Sequence, residues 1–148
     1  MWTTEYSAVV DAEAEAVWAA LRDLHSGVKL SDRSDTFELH GSFAVGTELS
    51  VTPAGQDTFR SKIVALEEPK VYADQTEFGE LTLLFQHTLV PLGSGQTKVT
   101  HRLEIGGPGS DVVGPELGPQ ISEDFPDAMA DLFTAARSRS MTPAPPTP

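Results

Sequence analysis

Apolar and polar positions change period several times along the chain, and each change predicts an element. Residues Trp2 to Val10 mix aromatic, Thr and Val side chains, with Tyr6, Ala8 and Val10 on one face at period two, which predicts a first strand. Asp11 stands where an N-cap belongs, and Val17, Ala20, Leu21 and Leu24 follow at spacings of three and four, so a helix is predicted from about Ala12 to Leu24. Gly27 ends that pattern, and Ser31-Asp32-Arg33-Ser34-Asp35 has nothing to bury and reads as a loop. From Thr36 the period becomes two: Phe37, Leu39 and Phe43 oppose Glu38, His40 and Ser42, and Leu49 and Val51 resume the alternation after Gly46. Phe59, Ser61 and Ile63 form the next alternating set after the turn cluster at Pro53 to Asp57.

Three further strands, Val71 to Phe78, Leu81 to Leu92 and Thr97 to Ile105, are separated by Gly79-Glu80 and Gly93-Ser94-Gly95, both suited to hairpins, so the series reads as an antiparallel meander. Leu83, Phe85, His87 and Leu89 share a face with Val99, His101, Leu103 and Ile105, while Thr100, Arg102 and Glu104 oppose them. That apolar face needs a cover. After Gly106-Gly107-Pro108-Gly109, a helix is predicted with Pro119 in its first turn and Ile121, Phe125, Ala128, Leu132 and Ala136 inward. Glu123, Asp124, Asp127 and Asp131 take its outer face, and Pro126 predicts a kink or an offset start. The fold class is therefore α+β, with residues 1–138 as one domain and the proline-rich 139–148 as a disordered tail.

Composition narrows the functional classes. A chain of 148 residues buries about two-thirds of its unfolded surface as one domain, and without cysteine it has no disulfides, thiolate metal sites or thiol nucleophiles. With 22 acidic against 10 basic residues the formal charge is -12, which repels phosphate backbones and anionic headgroups, and no basic stripe offers a nucleic-acid footprint. The first residues lack a basic segment followed by an apolar run, and no apolar stretch approaches the roughly 18 residues that span a bilayer, so neither secretion nor membrane insertion is expected. The cytoplasm is the expected compartment.

The order strand, helix, antiparallel strands, long helix resembles the helix-grip fold of START domains, birch-pollen-allergen-like proteins and the polyketide cyclase/dehydrase and lipid-transport superfamily. The residues carrying the resemblance are Val10-Asp11-Ala12 leading to Ala16-Val17-Trp18 and Asp23-Leu24, then Gly46-Thr47-Glu48-Leu49, then Gly95 to Thr100. The chain departs from many relatives after the Asp-Leu pair, where His25-Ser26-Gly27 replaces an aromatic segment. The resemblance implies a curved sheet wrapped around the C-terminal helix, holding a polyketide, lipid or similar apolar molecule between them. Some such proteins are cyclases or dehydrases, others carriers or partners of proteins.

Candidate chemistry lies on the apolar face. A three-residue loop at Gly93 to Gly95 places His87 opposite His101, and a two-residue turn at Gly79-Glu80 places Tyr72 opposite His87, with Asp74 one pair along. Val71 and Ala73 compete with Tyr72 for that side. Imidazoles near neutral pKa, with a phenol, could supply the base, acid and oxyanion donor of a cyclisation or dehydration. Against this stands the alternative that each histidine simply bonds a neighbour inside the core. Imidazoles and a carboxylate also suit zinc or iron, but the spacing matches no metal motif, so no metal and no cofactor are expected. His25 and His40 read as surface residues, and Trp18 as packing against the sheet edge.

Three functions remain open. The first is a carrier or binding protein whose cavity is lined by Phe85, Leu89, Val99, Leu103, Ile121, Phe125, Met129 and Leu132, with His87 and His101. The second is an enzyme in which His87, His101 and Tyr72 act on a polyketide-like substrate. The third is an interaction module whose acidic helix docks a basic partner.

Overall fold

The computed structural model describes residues 1–140. Seven strands make one antiparallel sheet: β1 (Trp2–Val10), β2 (Thr36–Leu39), β3 (Glu48–Thr52), β4 (Phe59–Glu67), β5 (Val71–Phe78), β6 (Leu81–Gly93) and β7 (Gln96–Gly106), in the spatial order β1-β7-β6-β5-β4-β3-β2. Every consecutive pair from β2 onward is a hairpin neighbour, and β1 closes on β7, so the meander is as the periodicity predicts. Helix α1 (Ala14–His25) follows β1, and a bent C-terminal segment, α2 (Ser110–Ser122) and α3 (Phe125–Ser140), covers the inner face. This is the helix-grip arrangement.

The register carries the residues that matter. Tyr72 lies opposite His87, and His87 opposite His101. The β6–β7 turn is one residue shorter than expected: Ser94 and Gly95 both have positive φ, 55° and 76°, as a primed two-residue turn requires. An irregularity between Pro91 and Gly93 absorbs the difference, and the histidine pairing is unaffected.

Several expectations about the helices need correction. Asp11 does not cap α1, because β1 stays paired through Val10 and Thr97, and the Thr97 hydroxyl donates to the Ala12 carbonyl at 2.8 Å. The chain is thereby held out of the helix until Ala14, with Glu13 as N-cap and Asp11 accepting instead from Gln96. The C-terminal helix begins at Ser110, not near Pro119; Pro115 and Pro119 both lie inside α2, each preceded by a glycine. Pro126 marks an offset start, as expected: it sits in the first turn of α3, where its missing N–H breaks no helical bond, and the change of direction falls at Glu123-Asp124 just before it. Ala128 is exposed instead of buried because it borders the open cavity, beside the buried stripe of Phe125, Met129, Leu132, Phe133 and Ala136. Finally, α3 continues to Ser140, so the expected tail boundary at 138/139 falls inside it; residues 141–148 lie outside the described residues.

Two apolar clusters hold the layers together. The larger joins Val17, Trp18, Ala20 and Leu21 of α1 to Met129, Leu132, Phe133 and Ala136 of α3 over Leu89 and Val99 of the sheet. The smaller gathers Leu83, Leu103, Ile105 and Phe125, with Trp2 and Ile121 packed against them.

Candidate functional site

Between the sheet and the helical cover lies a cavity of about 720 Å³. Its inner end is lined by Ser61, Asp74, Thr76, Phe85, His87 and His101 of the sheet and by His25 of α1. Its outer end lies between the α1–β2 loop (Arg33, Ser34, Asp35), the β3–β4 turn (Pro53, Ala54, Gln56) and the α2–α3 junction (Gln120, Glu123, Asp124). Arg33 ties two of these rims together, donating to Asp131 at 2.9 Å and lying 3.7 Å from Asp127.

Among the apolar residues expected to line it, Phe85, Ile121, Phe125, Met129 and Leu132 do so. Leu89, Val99 and Leu103 do not. They point inward as the alternation requires, but Leu89 and Val99 are sealed under α1 and α3, and Leu103 is sealed in the smaller cluster. Face is set by period two; openness is set by where the helices bend. Tyr72 also faces inward, settling its side against Val71 and Ala73, yet its ring is fully buried and forms no part of the wall.

A column of rings starts in the core behind the wall, at Phe43 and Tyr72, and runs into the wall at His25, His87, His101 and Phe125. Phe43 stacks on Tyr72 with centroids 5.6 Å apart, and Tyr72 meets His25 at 4.1 Å. His25 meets His87 edge-on at 5.8 Å. His87 stacks on His101 at 3.9 Å, and His101 on Phe125 at 3.8 Å. His25 is therefore a correction: it is 3 % exposed, not a surface residue. The signal was present, since it stands four residues after Leu21 and seven after Trp18 on the buried stripe of α1. His40 is exposed as expected, bonded to Ser50 on the outer surface.

Burial sets the charge states. Desolvation lowers His25 to about 4 and His101 to about 3, and it drives His87 well below the usual imidazole range, helped by the neighbouring His101 and His25. All three are neutral at pH 7. Asp74 is pushed up to about 7 by the same desolvation, against the Tyr72 hydroxyl that donates to its Oδ2 at 2.8 Å. Burial first, and the field of Asp74 second, drive the Tyr72 phenol upward in turn. His25 Nδ1 lies 2.8 Å from the Leu21 carbonyl, which can only accept, so Nδ1 carries the proton and Nε2 holds a lone pair 3.9 Å from Asp74 Oδ2. This is a neutral imidazole facing a carboxyl poised near neutrality, and not an ion pair. His87 Nδ1 is buried with no hydrogen-bond partner among the described residues.

Among the described residues no three His, Asp or Glu side chains converge in metal-binding geometry. No described helix is long and apolar enough to cross a membrane.

The sequence profile of the family described as polyketide cyclase / dehydrase and lipid transport matches residues 1–137. The chain belongs to this family. Curated proteins yield no sequence match. Among solved structures, a norcoclaurine synthase point mutant from Thalictrum flavum, in complex with a transition-state analogue, superposes with a TM-score of 0.67 at 19% identity, over 93% of this chain and 95% of that one. A Thermus thermophilus protein, TTHA0849, gives 0.71 at 13% identity over 94% and 99% of the two chains. Ara h 8.0201 gives 0.63 at 17% identity over 96% and 99%. At these identities the likeness is one of fold, and what this family member does must be argued from its own cavity.

Proposed function

We propose that residues 1–138 act as one ligand-binding domain that encloses a small, flat, largely apolar molecule of aromatic or polyketide-like character. The observation that carries this reading is the wall itself: a cavity of about 720 Å³ bounded by the stacked rings of His87, His101 and Phe125. The imidazoles of His87 and His101 on this wall offer a ligand hydroxyl a polar partner within an otherwise largely apolar surround. A hydroxyl donates and accepts, and so fits either tautomer of the ring. Family membership supports the same class of ligand.

The test is calorimetric titration of the full chain with 1-naphthol, beside Ile121→Trp, which fills the cavity from its half-buried α2 wall. Saturable binding, weakened about tenfold or more by Ile121→Trp, a change of ~1.4 kcal/mol, is the expected result. Absence of binding, or binding indifferent to the substitution, would contradict it.

A second reading, acid–base catalysis of a cyclisation or dehydration, is favoured by Asp74. A carboxyl held near pH 7 on the cavity wall can, as carboxylate, take the proton from carbon and, as the acid so formed, return it to the departing hydroxyl, while a neutral imidazole of His87 or His101 donates its N–H to the enolate oxygen. Tyr72 then serves as a positioning residue, acting through Asp74 and not on the ligand. Under this reading Asp74→Asn abolishes turnover of a β-hydroxyketone while 1-naphthol still binds.

A further inference from the structure

The sheet side of the cavity carries two polar stations, and strand register fixes how far apart they lie. Inward-facing residues of neighbouring strands form rows across the sheet. The first row holds Tyr72, His87 and His101, the next Asp74, Phe85 and Leu103, and the third Thr76, Leu83 and Ile105, with Ser61 of β4 opposite Thr76. From Tyr72 to Thr76 is four residues along β5, about 14 Å at the usual rise of a strand. His87 and His101 make one station, on β6 and β7. Ser61 and Thr76 make the other, two rows away on β4 and β5. All four side chains line the cavity, and so does Phe85 in the row between.

Packing alone does not account for the second station. Ser61 and Thr76 are 3 % and 6 % exposed, and their hydroxyls bond to each other. Two hydroxyls carry two hydrogens, and one bond between them uses one. The other has no acceptor among the described residues, since neither hydroxyl makes a second hydrogen bond. Asp74 does not take it: the carboxyl receives the Tyr72 hydroxyl on Oδ2 and nothing from Ser61 or Thr76. An alanine and a valine would fill the same space with no donor left idle. Neighbouring inward positions are apolar in that way, as at Ile63 on β4 and Ile105 in the Thr76 row. The spare hydrogen is therefore available to an oxygen of whatever fills the cavity.

Resting on the ligand-binding reading above, we infer that the Ser61–Thr76 hydroxyl pair is a second polar subsite, which sets specificity by donating to an oxygen at the far end of an elongated ligand. The other oxygen of that ligand lies against His87 and His101. The ligand class so defined is neutral and rod-like, oxygenated at both ends and apolar between, where Phe85 of the sheet and Ile121 and Met129 of the helical cover enclose it. A ligand with a single oxygen, such as 1-naphthol, occupies one station and leaves the other unsatisfied.

The experiment compares trans-4,4′-dihydroxystilbene with trans-4-hydroxy-4′-methylstilbene, which has the same length and carries a methyl group in place of one hydroxyl. Both are titrated with the full chain by following the emission of the probe. The diol is expected to bind about fivefold more tightly, as one added hydrogen bond allows. The double variant Ser61→Ala/Thr76→Val removes both hydroxyls with little change of shape. It is expected to melt close to the native chain, to lose the preference for the diol, and to bind the methyl compound at least as tightly. Thr76→Ser keeps both hydroxyls and is expected to keep the preference; its loss there would mean that packing, and not the hydroxyl pair, sets the selectivity. Equal affinities of the two stilbenes for the native chain, or a preference that survives the double variant, overturn this inference alone. Binding of 1-naphthol with silence from both stilbenes overturns it too, because the cavity then admits no elongated ligand. Silence from all three compounds overturns the ligand-binding reading with it.

Discussion

Asp74 sits between a phenol that donates to it and an imidazole lone pair, and the direction of its shift fixes what it contributes. A carboxyl raised from 3.8 to about 7 favours folding while it is protonated; that contribution is complete below pH 3.8 and is lost as the pH rises through 7. The buried histidines run the other way. Lowered from 6.5, His25 and His101 favour the fold in their neutral form, and stability falls from pH 6.5 down to about 4 for His25 and about 3 for His101, as the unfolded chain takes up protons that the buried rings do not. Asp74→Asn isolates the first effect, since an amide oxygen still accepts from Tyr72. The variant is expected to match the native chain in thermal melts at pH 4 and to exceed it in Tm at pH 8; equal melts at pH 8 would place the Asp74 carboxylate in contact with water. The histidine row and its partner Tyr72 were legible in the sequence because turn length and alternation determine register. His25 was harder to read, because a polar residue before Ser26-Gly27 resembles a frayed helix end, and only its spacing from Leu21 gives it away.

At the scale of elements, strands were easier to read than helices. Alternation over five or more residues, bounded by glycine turns, leaves little freedom, and even the miscounted β6–β7 turn kept its pairing through a compensating bulge. Helix α2 was obscured by Gly114-Pro115 and Gly118-Pro119, residues that read as loop. The structure gives the reason for the glycines. Trp2 of β1 lies directly against both, and a Cβ at either position would overlap its side chain. The helix accepts poor intrinsic propensity in return for a seat on the indole. Gly118→Ala should therefore destabilise the chain by about 1–3 kcal/mol, where an alanine in an open helix would stabilise it. Denaturant titration checks this, and a Trp2→Ala background should relieve most of the loss; additive effects of the two substitutions would refute direct contact as the cause.

For the whole molecule, the hydrophobic pattern determines which residues face inward but not which of them are left uncovered. Leu89 and His87 stand on the same strand and the same face, yet one is sealed by α3 and the other lines a cavity. That difference arises from the turn at Glu123-Asp124, which swings α3 toward α1 and α2 toward β1, and no local property of β6 encodes it. The same turn brings Asp124 to the rim, so one bend shapes both the cavity and its entrance. The fold persists at 13–19% identity to solved structures because inward periodicity, turn chemistry and helix placement can be met by many sequences. The cavity wall is where this chain differs and where its function is decided. The most direct measurement is histidine side-chain nitrogen NMR of the full chain during titration with 1-naphthol, with exposed His40 as internal reference. The account predicts saturable shifts at the ring nitrogens of His87 and His101 while His40 stays fixed. Four histidines that remain unmoved at saturating probe would contradict it.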